Sequence, residues 1–218
     1  AVSLKRAFTV SCNNAFAQAA LMLGDETLRK TAESFGFNDN FLFRDVVVEN
    51  SVYPTANRNA VEIAWSGAGQ SQVSATPVPM CMVAAAIAND GVMMEPRLLA
   101  KVVSPSGIVR LRYTQSVYRR ACSETIAATL QDYMKNVVSS GTGTASKVNG
   151  LTIGGKTGSA ESAADGKDVT HAWYVGYIED SDLPYACAVL VEDGGSGGSV
   201  AAPIAASIFK YLKSTYRK

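Results

Sequence analysis

Gly154-Gly155-Lys156-Thr157-Gly158-Ser159-Ala160-Glu161 packs a lysine, a hydroxyl and flanking glycines into a few residues. Glycine lets another molecule approach the backbone closely. Lysine and threonine add positive charge and hydrogen bonds. The string therefore reads as an anion-handling surface. Leu151 and Ile153 precede it, and the strand-like run Ala172-Trp173-Tyr174-Val175-Gly176-Tyr177-Ile178 follows. Two enzyme classes use such a string, and the flanking sequence chooses between them.

The segment from Gly150 to Thr157 matches the phosphate-loop pattern GxxxxGK[ST] literally. That loop needs a buried strand before it and a helix starting at the lysine, whose N–H groups cradle phosphate. Neither flank agrees. Ala145-Ser146-Lys147-Val148-Asn149 is no buried strand, and Gly166 with a polar loop follows Thr157 too soon for a lasting helix. Ala188-Val189-Leu190-Val191-Glu192-Asp193 imitates a nucleotidase's acidic strand only superficially. About 60 residues remain after Thr157, too few for the parallel sheet of that fold. The string is expected instead on an edge strand of an antiparallel sheet.

At 218 residues the chain is one domain or a large part of one, and 47% apolar residues can form a real core. A charged fraction of 18% and a net charge of +1 offer no polyanion-binding surface, so nucleic acid is not an expected partner. His171, the single histidine, argues against a multi-histidine metal site and reads as structural. Cys12, Cys81, Cys122 and Cys187 are scattered without a CxxC pair, so zinc is not expected. Whether they are thiols or disulfides stays open. No metal or cofactor is expected. Apolar runs such as residues 83–88 fall far short of the ~20 residues that span a membrane. The chain opens at Ala1 in what reads as mid-helix, so a piece of a longer protein is expected.

Along the chain, residues 3–9 read as a short helix, and an Ala-rich helix runs from the Ser11-Cys12-Asn13-Asn14 segment to Leu23, stopped by Gly24. Asp25 reads as the cap of a helix through about Phe35. Residues 40–64 read as loop with short extended pieces such as 44–48, and 66–74 as a turn region. Thr76-Pro77 opens a helix with proline in its first turn. Residues 98–103 and 108–113 form a hairpin around Ser104-Pro105-Ser106-Gly107. Ser123 caps a helix carrying Ile126, Leu130, Tyr133, Met134 and Val137 on one face. Strands follow at about 151–161, 171–179 and 185–192, then a flexible link at 194–198. The last helix turns Ile204, Ile208, Phe209 and Leu212 to the core. Segregated helices and antiparallel strands make the class α+β.

With Ser11-Cys12-Asn13 between two helices and Lys156-Thr157-Gly158 on a strand, the chain resembles the penicillin-binding transpeptidases of bacterial cell-wall synthesis. Their signatures run SxxK, SxN, KTG in that order. Further agreement comes from Gly69-Gln70 through Thr76-Pro77 to Asn89-Asp90-Gly91, from Gly141-Thr142-Gly143, from Ala172-Trp173-Tyr174-Val175-Gly176, and from Ala201-Ala202-Pro203. The resemblance covers nearly all of the chain and is nearest the class B, monofunctional type. It implies an antiparallel sheet with helices on both faces, incomplete at its N-terminal side. Residues 1–218 would be the C-terminal portion of one such domain.

The resemblance also implies roles. Ser11 would relay a proton to the leaving nitrogen with Lys156 bonded to it, and Asn13 would bond the substrate's amide. Lys156 and Thr157 would attract the terminal carboxylate of a D-Ala-D-Ala stem peptide or of a β-lactam. Gly158 would let substrate lie along the strand. Ser159 would give an oxyanion N–H, and its hydroxyl a carboxylate contact. Cys12 would point into packing. Implied partners are the upstream segment carrying SxxK, a cell-wall glycosyltransferase, and division or elongation proteins. The implied location is the outer face of the bacterial cell membrane. A non-catalytic β-lactam sensor of the same fold is the alternative, and a serine β-lactamase lacks support because no deacylating glutamate motif is seen. The SxxK signature belongs upstream of Ser11. The only literal match, Ser207-Ile208-Phe209-Lys210, follows KTG and reads as surface helix. The 218-residue chain alone is therefore expected to take no stoichiometric covalent adduct from penicillin, as read by intact-mass spectrometry.

Overall fold

The computed structural model describes residues 2–40, 47–56, 58–164 and 167–217. Helix α1 (Leu4–Thr9) is capped by Ser3, whose hydroxyl accepts from the Arg6 N–H. Then come α2 (Asn13–Leu23), α3 (Asp25–Ser34), α4 (Ala60–Gly67) and α5 (Pro77–Ala88). Strands β1 (Val92–Met94), β2 (Lys101–Val103), β3 (Val109–Arg112) and β4 (Val117–Arg120) follow. Helix α6 (Glu124–Ser140) leads through a 3-10 turn (Thr144–Ser146) to β5 (Ile153–Ala164), β6 (Lys167–Ile178) and β7 (Ala186–Val191). A π-helical turn (Gly197–Ala201) opens α7 (Ala202–Tyr216).

The main sheet is antiparallel in the order β5-β6-β7, so β5 is an edge strand. Small antiparallel pairs β1–β4 and β2–β3 lie apart from it. Side chains alternate across a strand, and β6 feeds two cores. Ala172, Tyr174 and Ile178 face α7, packing with Cys187, Val189, Ala202, Ala205, Ala206 and Phe209. Tyr177 points the other way, to Ile87 of α5 and Met134 of α6. Helices thus cover both faces, as expected for this α+β class. No helix among the described residues is long and apolar enough to cross a membrane.

Helices α2 and α4 pack against each other at Gly67. A Cβ there would lie 2.5 Å from the Phe16 carbonyl oxygen and 2.6 Å from the Ala20 Cβ. The contact brings the start of α2 and the end of α4 to one side of the edge strand.

Several expectations need correction. Helix α4 occupies sequence expected to be loop and turn. Asn59 and Glu62 cap it reciprocally, each side chain accepting from the other's N–H. Gly24, not Asp25, is the N-cap of α3, and Asp25 pairs with Arg58 instead. Ile204 and Ile208 are exposed, as is Ile126 on α6. The inner face of α7 is mostly alanine, which lets the helix close on the sheet. Part of the expected 194–198 link is π-helical. Of the extended piece at 44–48, residues 44–46 lie outside the described residues. All four cysteine thiols are free, and Cys12 is half-buried.

Gly67→Ala should lower stability by about 1–3 kcal/mol, because backbone on α2 cannot yield as a flexible side chain would. Thermal and denaturant unfolding of the variant measure this.

Candidate active site

Ser11 ends α1 rather than starting α2. The N–H of Ser11 bonds the Phe8 carbonyl, and the N–H of Cys12 bonds the Ala7 carbonyl. This is the Schellman pattern, whose left-handed residue is usually glycine. Ser11 takes that place with φ 54°, a conformation costing a non-glycine residue about 1–2 kcal/mol. It caps no helix, since Cys12 is the N-cap of α2. Its hydroxyl instead faces β5.

Lys156 donates from Nζ to Ser11 Oγ at 2.8 Å and to the Thr157 carbonyl at 2.7 Å. The Phe8 ring centroid lies 5.9 Å from Nζ. Burial lowers its pKa from 10.5 to about 8. The neutral amine is therefore reached closer to neutral pH than in a solvated lysine. Because Lys156 supplies the proton of their mutual bond, the Ser11 hydroxyl proton stays free to be donated outward.

The neighbouring residues of β5 alternate faces. Thr157 is buried and shares a 2.6 Å hydroxyl–hydroxyl bond with Thr142. Ser159 Oγ accepts from the Gly197 N–H at 3.2 Å, which leaves its own proton available. The Ser159 carbonyl accepts from Gln70 Nε2 at 3.2 Å. Asn13 is exposed on the first turn of α2, close in sequence to Ser11 but without a hydrogen bond to Lys156. The structure thus brings Ser11, Lys156, Thr157, Gly158 and Ser159 together along one edge.

Gly154 and Gly155 do not serve ligand approach, as the sequence suggested. A Cβ on Gly154 would lie 2.4 Å from the Tyr177 ring, and one on Gly155 2.0 Å from the Tyr174 hydroxyl. They admit two core tyrosines. Tyr174 OH then donates to Ser146 Oγ at 2.8 Å, and Ser146 Oγ donates to the Gly143 carbonyl at 2.8 Å. That chain fixes the loop presenting Thr142. Gly158 is less crowded: a Cβ there would meet only Trp173, in a tight contact at 3.2 Å. Gly197 closes over the Gly158–Trp173 pair, its would-be Cβ 2.2 Å from the Gly158 carbonyl oxygen.

Beyond Gln70, an open groove of about 830 Å³ follows the outer β5–β6 hairpin, lined by Trp65, Gln70, Glu161, Ser162, Asp168 and Thr170 among others. Lys156 does not line it. His171 joins the hairpin, with Ser162 Oγ at 3.0 Å from Nε2 and the Asp193 N–H bonded to Nδ1 at 3.1 Å. β5 runs on as strand past Thr157, so the phosphate-loop reading fails for want of its helix.

The family described as "Penicillin binding protein transpeptidase domain" matches residues 1–210. The chain belongs to this transpeptidase family. The peptidoglycan D,D-transpeptidase PbpA of Mycolicibacterium smegmatis is 37% identical over 93% of the chain and 42% of its own length. PbpA of Mycobacterium tuberculosis is 33% identical over 96% of the chain and 43% of its own length. The chain therefore spans less than half the length of these transpeptidases. In structure it is similar to M. tuberculosis penicillin-binding protein A in a ceftriaxone acyl-enzyme complex, with TM-score 0.88 and 32% identity over 97% of the chain and 48% of that protein. The D,D-transpeptidase domain from Eggerthella lenta gives TM-score 0.86 and 31% identity over 98% of the chain and 54% of that protein.

Gln70, Thr142 and Gly197 join this candidate site without having been expected there from the sequence, although all three lie in segments that the sequence singles out. What the sequence does not show is that each bonds a β5 residue. Lys156 also makes stability depend on pH. Its folded pKa lies below the unfolded value, so the unfolded chain binds more protons between about 8 and 10.5. The cost of burying the charge is fully present below pH 8 and is relieved as pH rises toward 10.5. Denaturant unfolding across that window should show stability rising with pH, and Lys156→Met should remove this component.

Proposed function

We propose that the chain is part of a class B D,D-transpeptidase that cross-links peptidoglycan stem peptides by serine acyl transfer and is acylated by β-lactams. The observation carrying this reading is the Lys156–Ser11 bond, which joins the KTG strand to the SxN turn across 145 residues of sequence. Residues 1–218 are the C-terminal portion of the domain, and the nucleophilic serine and its base lysine belong to an upstream SxxK segment. The coverage of PbpA, at 42–43% of its length, supports a longer protein.

In the reaction, the nucleophile attacks the carbonyl of the penultimate D-alanine. The N–H of Ser159 stabilises the oxyanion. The C–N bond breaks as Ser11 gives its proton to the leaving nitrogen, and Lys156 resupplies Ser11. An acceptor amine then attacks the ester and completes the cross-link. Lys156, Thr157 and the Ser159 hydroxyl bind the terminal carboxylate, while Asn13 bonds the stem peptide's amide. Gly158 leaves room for substrate to extend along β5. The domain works on the outer face of the cell membrane, with a glycosyltransferase and division or elongation proteins as partners.

The test is acylation of the full-length protein by a fluorescent penicillin. Lys156→Ala should slow it by roughly 10²-fold, the scale of a lost proton-transfer group. Ser11→Gly separates function from folding. It relieves the left-handed strain but also removes the acceptor of the Lys156 bond, effects of opposite sign and similar size, so thermal stability should change by no more than about 2 kcal/mol, yet acylation should fall by a similar factor. Unchanged acylation in both variants would contradict the proposal.

A further inference from the structure

Gln70 bonds a backbone carbonyl on the open edge of the main sheet. β5 is the edge of its sheet, and in an antiparallel ladder the N–H and C=O of a residue point the same way. Since Gln70 bonds the Ser159 carbonyl from outside the sheet, that carbonyl faces the open edge. So does the Ser159 N–H. An extended ligand that pairs with this edge at Ser159 places an amide N–H on the carbonyl that Gln70 holds.

The position of Gln70 is built rather than incidental. The Gly69 N–H bonds the Ser66 carbonyl and the Gln70 N–H bonds the Trp65 carbonyl. With Gly69 at φ 75°, this is a second Schellman motif, and it fixes the Gln70 backbone at the end of α4. Helix α4 is in turn locked to α2 at Gly67. The α2–α4 contact therefore places Gln70 on the same side of β5 as Ser11, which sits in the turn between α1 and α2. The strand itself does not need the glutamine. Twelve residue pairs with β6, from Ile153↔Ile178 to Ala164↔Lys167, already hold it. The Gln70 bond is also solvent-exposed, so it is weak enough to exchange.

We infer that Gln70 is a specificity-determining residue whose side-chain amide stands in for the substrate's amide N–H on the Ser159 carbonyl and gives way when an amide-bearing ligand adds to β5. The exchange swaps one amide donor for another, so the carbonyl is satisfied in both states. Ligands without that N–H leave Gln70 in place. The exchange rests on the transpeptidase reading.

The experiment compares two β-lactams on the full-length protein. Penicillin G carries an acylamino N–H beside the ring, and imipenem carries none. Gln70→Ala removes the competing donor, and Gln70→Glu replaces it with a group that cannot donate when ionised. Stopped-flow acylation separates the pre-acylation dissociation constant from the acylation rate. Both variants should tighten the penicillin G dissociation constant relative to that of imipenem by about fivefold, the size of one net hydrogen bond, with the acylation rate constants unchanged. Equal changes for both antibiotics, or weaker penicillin G binding, would overturn the role of Gln70 and leave the transpeptidase reading standing. Failure of the unmodified protein to be acylated by either antibiotic would overturn that reading and the inference with it.

Discussion

The bond from Lys156 Nζ to Ser11 Oγ is the contact on which the rest of the site depends. It spans the gap between a sheet edge and a helical layer, two parts of the chain far apart in sequence. Its burial lowers the lysine pKa to about 8, so the amine can hold or release a proton near neutrality. Its polarity leaves the Ser11 hydroxyl as an outward donor. A lysine in water would offer neither property.

Close approach makes that contact possible, and glycine makes the close approach possible. Gly67 joins α2, which follows the Ser11 turn, to α4, whose end carries Gln70. Gly154 and Gly155 let Tyr177 and Tyr174 lie against β5 from opposite faces, and Gly197 seats the last helical layer over Gly158. Gly141 does the same for α1 and α6, its would-be Cβ only 2.3 Å from the Thr9 carbonyl oxygen. The backbone is pinned from several sides, while the outer edge of β5 pairs with no further strand among the described residues. Fixed donors on a fixed edge match what a site needs to stabilise developing charge without reorganising.

The antiparallel strands and most helices were legible because caps and periodicity agree with the fold. Ser123, for example, accepts from the Ile126 N–H at the start of α6. The lysine motif was legible through its partner Ser11, although neither residue alone separates an active site from a surface strand. Helix α4 was hidden by its glycine- and serine-rich C-terminal end, despite the Asn59–Glu62 pair that announces its start. Ile204 and Ile208 misled because apolar residues also occupy surfaces, while the true inner face of α7 is written in alanine. The double glycine misled because a missing side chain looks the same whether it admits a ligand or a tyrosine ring. Gln70 and Thr142 needed three dimensions, since their partners on β5 lie 89 and 15 residues away.

The most direct measurement is a crystal structure of the full-length protein acylated by a penicillin. The ester carbonyl oxygen should lie within about 3 Å of the Ser159 N–H, the ligand carboxylate beside Lys156 and the Ser159 hydroxyl, and the Lys156–Ser11 bond should be intact beneath them. An acyl group whose carbonyl points away from β5, touching neither Ser159 nor the Lys156–Ser11 pair, would contradict this arrangement.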